Sequence, residues 1–188
     1  PNSLSVVCTM CEEATYQAGS GATRCDACGE GYNPNNRSRL SSDELIKGAR
    51  NRAILDFYEP GSTVKPFTVL AALENEKISS GSIIDTNPGY IQVGKKKIKD
   101  HHNYGKISLD DLLKKSSNVG AIKLGLDVDP EDMHDLFSRV GFGEVIGVGF
   151  PGEASGILPS HKNSMKLERA NLAIGYSMNA TALQVAQA

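Results

Sequence analysis

All four cysteines of this 188-residue chain fall within its first 28 positions, as Cys8-Thr9-Met10-Cys11 and Cys25-Asp26-Ala27-Cys28. That clustering divides the chain into two regions. The segment around the pairs, about 1–31, has few large apolar residues, and so small a segment needs a staple in place of a core. Cys-x2-Cys-x13-Cys-x2-Cys is close to zinc-ribbon spacing, and four thiolates suit a tetrahedral Zn²⁺. Gly29 permits the tight knuckle in which backbone N–H groups meet sulfur. Cys8, Cys11, Cys25 and Cys28 are therefore expected to hold a structural zinc, with no open position left for chemistry. Two disulfides are the rival reading, favoured in an oxidising compartment, and free thiols or a redox pair form the third.

Beyond a polar, turn-rich passage at Asn33–Arg39, the remainder reads as a mixed helical and stranded region. Ser42–Tyr58 has apolar residues at helical intervals, and Pro60-Gly61 breaks the run. Ser62–Glu74 then reads as an apolar helix. Tyr90–Gly94 and Lys97–Lys99 form a strand pair about a Gly-Lys turn. Ser108 caps a helix to Lys115 whose apolar side carries Leu109, Leu112 and Leu113. Further helices are expected at Val119–Leu126, Pro130–Val140 (stopped by Gly141), Leu167–Leu172 and Thr181–Ala188, with Gly147–Pro159 as loop. A net charge of −2 gives no electrostatic case for nucleic acid or an anionic membrane surface. Lys95–Lys97 reads as a solvated turn. No apolar run approaches the ~20 residues that span a bilayer, and the first residues do not have the pattern of a signal peptide. The last helix stops without a cap, so the chain is expected to be a piece of something longer.

The chemistry centres on Ser62-Thr63-Val64-Lys65-Pro66. A proline is tolerated only in a helix's first turn, so Pro66 puts the helix start at or just after Ser62. The serine then sits at the positive end of the helix dipole, where a developing oxyanion is favoured. Lys65 falls on the same face three residues on. Burial at that end lowers its pKa, and a neutral lysine beside a serine hydroxyl is a competent general base for acyl transfer. Spacing alone is a weak signal, because an N-cap serine with a surface lysine gives the same pattern. The Ser116-Ser117-Asn118 run, 54 residues later at a helix junction, adds the Ser-x-Asn element that accompanies Ser-x-x-Lys in penicillin-binding proteins and class A β-lactamases. Ser177-Met178-Asn179 is read as a turn into the last helix.

The resemblance then becomes specific. Asn51-Arg52-Ala53-Ile54 with Glu59-Pro60-Gly61-Ser62-Thr63-Val64-Lys65-Pro66-Phe67 resembles the nucleophile region of class B penicillin-binding proteins, and Lys114-Lys115-Ser116-Ser117-Asn118-Val119-Gly120 their second motif. Phe150-Pro151-Gly152-Glu153 with Gly156-Ile157-Leu158-Pro159, and Tyr32-Asn33-Pro34-Asn35-Asn36-Arg37, are similar to stretches of the division-specific (septal) peptidoglycan transpeptidases. The similarity runs in one order from about Tyr32 to Ala188.

The resemblance implies an α+β fold of the penicillin-binding-protein and serine β-lactamase type, mainly its helical subdomain, over 32–188, with the zinc-ribbon-like segment at 1–31. It implies a D,D-transpeptidase that cross-links peptidoglycan stem peptides. Ser62 would be the nucleophile and Lys65 its base. Ser116 would relay a proton to the leaving amine, and Asn118 would bond the substrate amide and help hold Lys65. β-Lactams and division-complex proteins would be partners, no cofactor would serve catalysis, and the site would face the periplasm from the inner membrane if the chain belongs to a longer anchored protein.

No Lys-Thr-Gly or Lys-Ser-Gly occurs in the 188 residues. In the family that motif binds the substrate carboxylate, and its strand supplies one oxyanion-hole donor, whose loss costs roughly 10²–10³ in rate. The chain is therefore expected to be truncated before this motif and incomplete as an enzyme, with apolar surface exposed where a sheet would lie. The competing reading is a zinc-ribbon binding module on a catalytically inert transpeptidase-like scaffold. A β-lactamase is disfavoured because no positioned glutamate can be assigned to deacylation. His101-His102 reads as a loop pair, and His134 and His161 as isolated.

Overall fold

The computed structural model describes residues 51–149 and 152–188, together with three short strands nearer the N-terminus. These strands are β1 (Thr9–Met10), β2 (Thr15–Gln17) and β3 (Asp26–Ala27), an antiparallel sheet in the order β1-β2-β3. The four cysteines, Tyr32–Arg37, most of the expected Ser42–Tyr58 helix and Phe150-Pro151 lie outside the described residues. Two compact units divide the chain, Pro1–Asn51 and Arg52–Ala188.

In the second unit, α1 (Arg52–Leu55) leads into β4 (Phe57–Tyr58), a 3₁₀ turn (Gly61–Val64) and α2 (Lys65–Glu74). Three short strand elements follow, β5 (Ile83–Asp85), β6 (Tyr90–Val93) and β7 (Lys96–Lys99), and then β8 (Lys106–Ser108). Helices α3 (Leu109–Lys114), α4 (Asn118–Asp127), α5 (Pro130–Arg139) and α6 (Lys166–Leu172) come next, and β9 (Ala180–Thr181) and α7 (Ala182–Gln187) close the order. Among the described residues this unit has three antiparallel strand pairs, β4 with β9, β5 with β8 and β6 with β7.

Local chemistry accounts for most of these boundaries. Pro130 opens α5 where its missing N–H costs nothing, Asp129 accepts from the Glu131 N–H, and Met133, Leu136 and Phe137 bury one face at helical spacing. The helix ends in a Schellman turn. Gly141 at φ +98° donates to Ser138 O, and Phe142 donates to Phe137 O. Thr181 and Gln184 form a reciprocal capping box on α7, and the buried Gln184 amide donates to the Glu144 and Ser155 carbonyls at 2.7 Å each. Helices α2, α4, α5 and α6 enclose the core, where Phe137 and Phe142 are fully buried and Phe67 meets both edge-on.

Three sequence expectations are corrected. Phe57–Tyr58 does not continue a helix but pairs as β4 with Ala180–Thr181, a tertiary partner that local periodicity does not contain. Leu113 stands 37% exposed while Leu109 and Leu112 fill the apolar side of α3, because a six-residue helix buries only one narrow stripe. The Ser62–Glu74 helix begins as a 3₁₀ turn and becomes α-helical only from Lys65.

Candidate active site

Ser62 lies in the 3₁₀ turn and is exposed, whereas Lys65, at the first position of α2, is 1% exposed. Lys65 donates its backbone N–H to Ser62 O, the i to i+3 bond of a 3₁₀ turn, which sets the two residues one short turn apart. One distant segment, Gly175–Ser177, and one local bond fix the turn. Gly61, at φ +58°, donates its N–H to Gly175 O at 2.9 Å. Ser177 donates its N–H to Glu59 Oε1 at 3.0 Å, and Thr63 Oγ1 donates to Pro60 O at 2.8 Å.

The Lys65 ammonium donates three hydrogen bonds, to Ser116 O at 2.6 Å, Ser116 Oγ at 2.9 Å and Asn118 Oδ1 at 2.7 Å. Residues 51 and 53 positions downstream are thus drawn onto one nitrogen. Burial pulls the Lys65 pKa down from 10.5 to about 8, and the negative charge of Asp100 acts in the opposite direction.

Ser116 shows its two acceptors to Lys65 through an unusual backbone. It stands at φ +53°, the left-handed position of the Schellman turn that ends α3, donating to Leu113 O while Ser117 donates to Leu112 O. Glycine is the usual occupant there, as Gly141 is after α5. A serine at this position costs about 1 kcal/mol of backbone strain, and its side chain and carbonyl both reach the lysine. Ser117 caps α4 by accepting from Gly120 N at 2.9 Å.

Sequence reasoning missed Asp100. It follows β7 and accepts three hydrogen bonds from the start of α4, from Ser117 Oγ and Asn118 N at 2.6 Å and from Val119 N at 3.0 Å. Its signal was an acid directly after an alternating strand, but nothing local ties that position to a helix 18 residues on. His101 and His102 are exposed, with His102 edge-on to Tyr104. His134 and His161 are not isolated. Their rings meet edge-on at 5.1 Å, and both line a cavity of about 300 Å³ with Arg169 and Glu168. That cavity shares no lining residue with the Ser62, Lys65, Ser116 and Asn118 cluster. Among the described residues no group of three or more His, Cys, Asp or Glu side chains is placed to hold a metal, and no helix is long and apolar enough to cross a membrane.

The arrangement buries a lysine of lowered pKa behind an exposed serine and faces it with a hydroxyl and an amide. Residues 16–188 match the family model for the penicillin binding protein transpeptidase domain. The chain belongs to this transpeptidase family. Its relatives include the peptidoglycan D,D-transpeptidase FtsI of Buchnera aphidicola subsp. Schizaphis graminum, 39% identical over 156 residues, which are 83% of this chain and 26% of the relative. The enzyme of the same name from Escherichia coli strain K12 is 38% identical over the same length and coverage. The chain therefore spans about a quarter of these relatives. The apo structure of the TP domain from Burkholderia pseudomallei penicillin-binding protein 3 superposes with a TM-score of 0.71 at 35% identity, covering 73% of this chain and 41% of that one. The penicillin-binding-protein transpeptidase fold, with mixed helices and strands, is thereby shown.

Proposed function

We propose that this chain carries the nucleophile half of a division-specific peptidoglycan D,D-transpeptidase that β-lactams acylate. One observation carries the reading: Lys65, buried and of lowered pKa, sits one turn from exposed Ser62 with its protons aimed at Ser116 and Asn118. In the acylation step neutral Lys65 takes the Ser62 proton while Oγ attacks the penultimate D-alanine carbonyl. The C–N bond to the terminal D-alanine breaks, and a proton relayed through Ser116 goes to the departing amine. An amine of a neighbouring stem then attacks the ester, forming the cross-link and returning Ser62 to its hydroxyl form. Asn118 orients Lys65 and is available to the substrate amide. The whole protein would act at the periplasmic face of the inner membrane, alongside division proteins.

Residues 1–31 would form a separate small module and 32–188 the transpeptidase portion. Thr9–Met10, between Cys8 and Cys11, and Asp26–Ala27, between Cys25 and Cys28, both pair with Thr15–Gln17. Thr9–Met10 and Asp26–Ala27 flank that one strand, and the Cys-x2-Cys-x13-Cys-x2-Cys spacing with four thiolates suits a structural zinc. Metal content with intact mass tests this: one zinc per chain is expected, and a mass lower by four hydrogens without metal would mean disulfides instead.

The function is tested with a fluorescent penicillin on the chain completed with the remainder of a relative's transpeptidase domain. Covalent label is expected at Ser62 and lost in Ser62→Ala. A completed, folded protein that takes no label refutes the reading.

A further inference from the structure

We infer that Asp100 is a positioning residue for acyl transfer, clamping the start of α4 so that Ser116 and Asn118 converge on Lys65. The inference rests on the reading of Ser62 and Lys65 given above.

The geometry runs through one carboxylate. Oδ1 accepts the N–H groups of Asn118 and Val119, and Oδ2 accepts the Ser117 hydroxyl. These three consecutive residues form the cap and first turn of α4, whose N–H groups have no intrahelical partner and whose dipole end is positive. A carboxylate is the side chain that best matches such a set of donors. Ser117 is fully buried and also accepts from Gly120 N, so its hydroxyl needs the acceptor that Asp100 supplies.

The clamp reaches the site from both sides. Asn118 sends Oδ1 to Lys65 while its Nδ2 donates to Lys99 O, the carbonyl adjoining Asp100. Asp100 itself donates its N–H to Gly89 O across the base of the β6–β7 hairpin. The hairpin thus grips the helix start, and the helix start holds Asn118. Ser116, one residue before the clamped turn, stays in its left-handed conformation because Ser117 after it cannot swing away. The resulting chain of contacts is hairpin, Asp100, first turn of α4, Ser116 and Asn118, Lys65.

Asp100 also acts on Lys65 through space. Its charge raises the lysine's pKa against the larger effect of burial. Ser116 and Asn118 face the ammonium with neutral acceptors. A purely structural cap would leave the lysine's titration in place once the fold is retained, and this one should not.

Two variants separate the roles. Asp100→Ala removes every acceptor. Asp100→Asn keeps an oxygen for the two backbone N–H groups and removes the charge. Lys65 is titrated directly by the NMR shifts of its Nζ and Cε in the 188-residue chain, and acylation by fluorescent penicillin is followed against pH in the completed protein. The Lys65 midpoint is expected to fall below its wild-type value in Asp100→Asn, and the acid limb of the acylation profile to move to lower pH with it. The maximal rate is expected to fall about 10²-fold in Asp100→Ala and less in Asp100→Asn, the cost of misplacing reacting groups by a fraction of an ångström to an ångström. An unchanged maximal rate in a folded Asp100→Ala protein, or an unchanged midpoint and acid limb in a folded Asp100→Asn protein, would overturn the inference, even if the melting temperature fell. If the wild-type completed protein takes no label while the midpoint still moves, the acyl-transfer reading fails and the Asp100–Lys65 coupling stands.

Discussion

Gly175 and Gly61 both hold a positive φ, +79° and +58°, and they touch each other through the Gly61 N–H···O bond to Gly175. Their surroundings differ. A Cβ on Gly61 meets nothing within 4 Å. A Cβ on Gly175 would lie 2.5 Å from the Gly61 carbonyl carbon and 2.6 Å from its nitrogen, and closer still to its oxygen. Positive φ costs an alanine about 1–2 kcal/mol, of which about 0.4–1 is offset by the stiffer unfolded chain. Gly61→Ala should therefore cost roughly 1 kcal/mol. Gly175→Ala adds overlap with a backbone that cannot rotate aside, about 1–3 kcal/mol more, for a sum of roughly 2–4 kcal/mol. In a unit of this size each kcal/mol lowers Tm by roughly 3–5 °C, so thermal unfolding followed by circular dichroism should separate the two variants by about 3–15 °C. The displaced backbone adjoins Ser62, so penicillin labelling of the completed protein should fall about 10²-fold in Gly175→Ala and much less in Gly61→Ala. Equal Tm values and equal labelling for the two variants would refute the idea that this glycine contact sets the nucleophile's position.

Other perturbations follow from features already described. Glu76 occupies the left-handed position of the turn ending α2, with φ +53° and its N–H donating to Leu73 O, so Glu76→Gly should stabilise the unit by about 0.5–1 kcal/mol in urea unfolding. A Cβ on Gly125 would overlap that of Ala173 and lie 2.9 Å from Met133 Cε. Gly125→Ala should therefore cost about 1–3 kcal/mol, and adding Ala173→Gly should recover part of it in a double-mutant cycle. Lys65 titrates at about 8 in the fold against an ordinary value of 10.5. Below pH 8 both states hold its proton and the burial penalty is present in full. Between pH 8 and 10.5 the unfolded chain keeps a proton that the folded one has released, so stability should rise with pH. The gain is up to about 3 kcal/mol, read as the wild-type minus Lys65→Met difference in urea unfolding.

The readable parts of this molecule were those with short-range causes. Pro66 and Pro130 mark helix starts because a proline acts on its own turn, Ser108 caps α3 by accepting from Asp111 N, and Gly94 turns β6 back onto β7 in register. Ser62, Lys65, Ser116 and Asn118 were legible because two short motifs carry them, although only the fold draws Ser116 and Asn118 onto Lys65. Asp100, the β4–β9 pairing and the meeting of His134 with His161 were not. Each depends on a partner 17 to more than 100 residues away, and a two-residue strand is too short to show a period. Ser116 carries a further lesson, since its left-handed backbone is invisible in a residue type that gives no warning of it.

The supports of the nucleophile turn come late in the chain. Ser177 reaches Glu59 across 118 positions, Thr68 donates to Ala173 O across 105, and Gly175 accepts from Gly61. Synthesis proceeds at about 5–20 residues per second, so roughly 6–24 s separate the appearance of Glu59 from that of Ser177. Until then the turn bearing Ser62 lacks these late partners and has only its local bond from Thr63 to Pro60 and the Lys65 contacts with Ser116 and Asn118. Closing so long a loop is also among the slower events in folding. The serine is thus made early and armed late, and a penicillin meeting the growing chain would find the residue without its site.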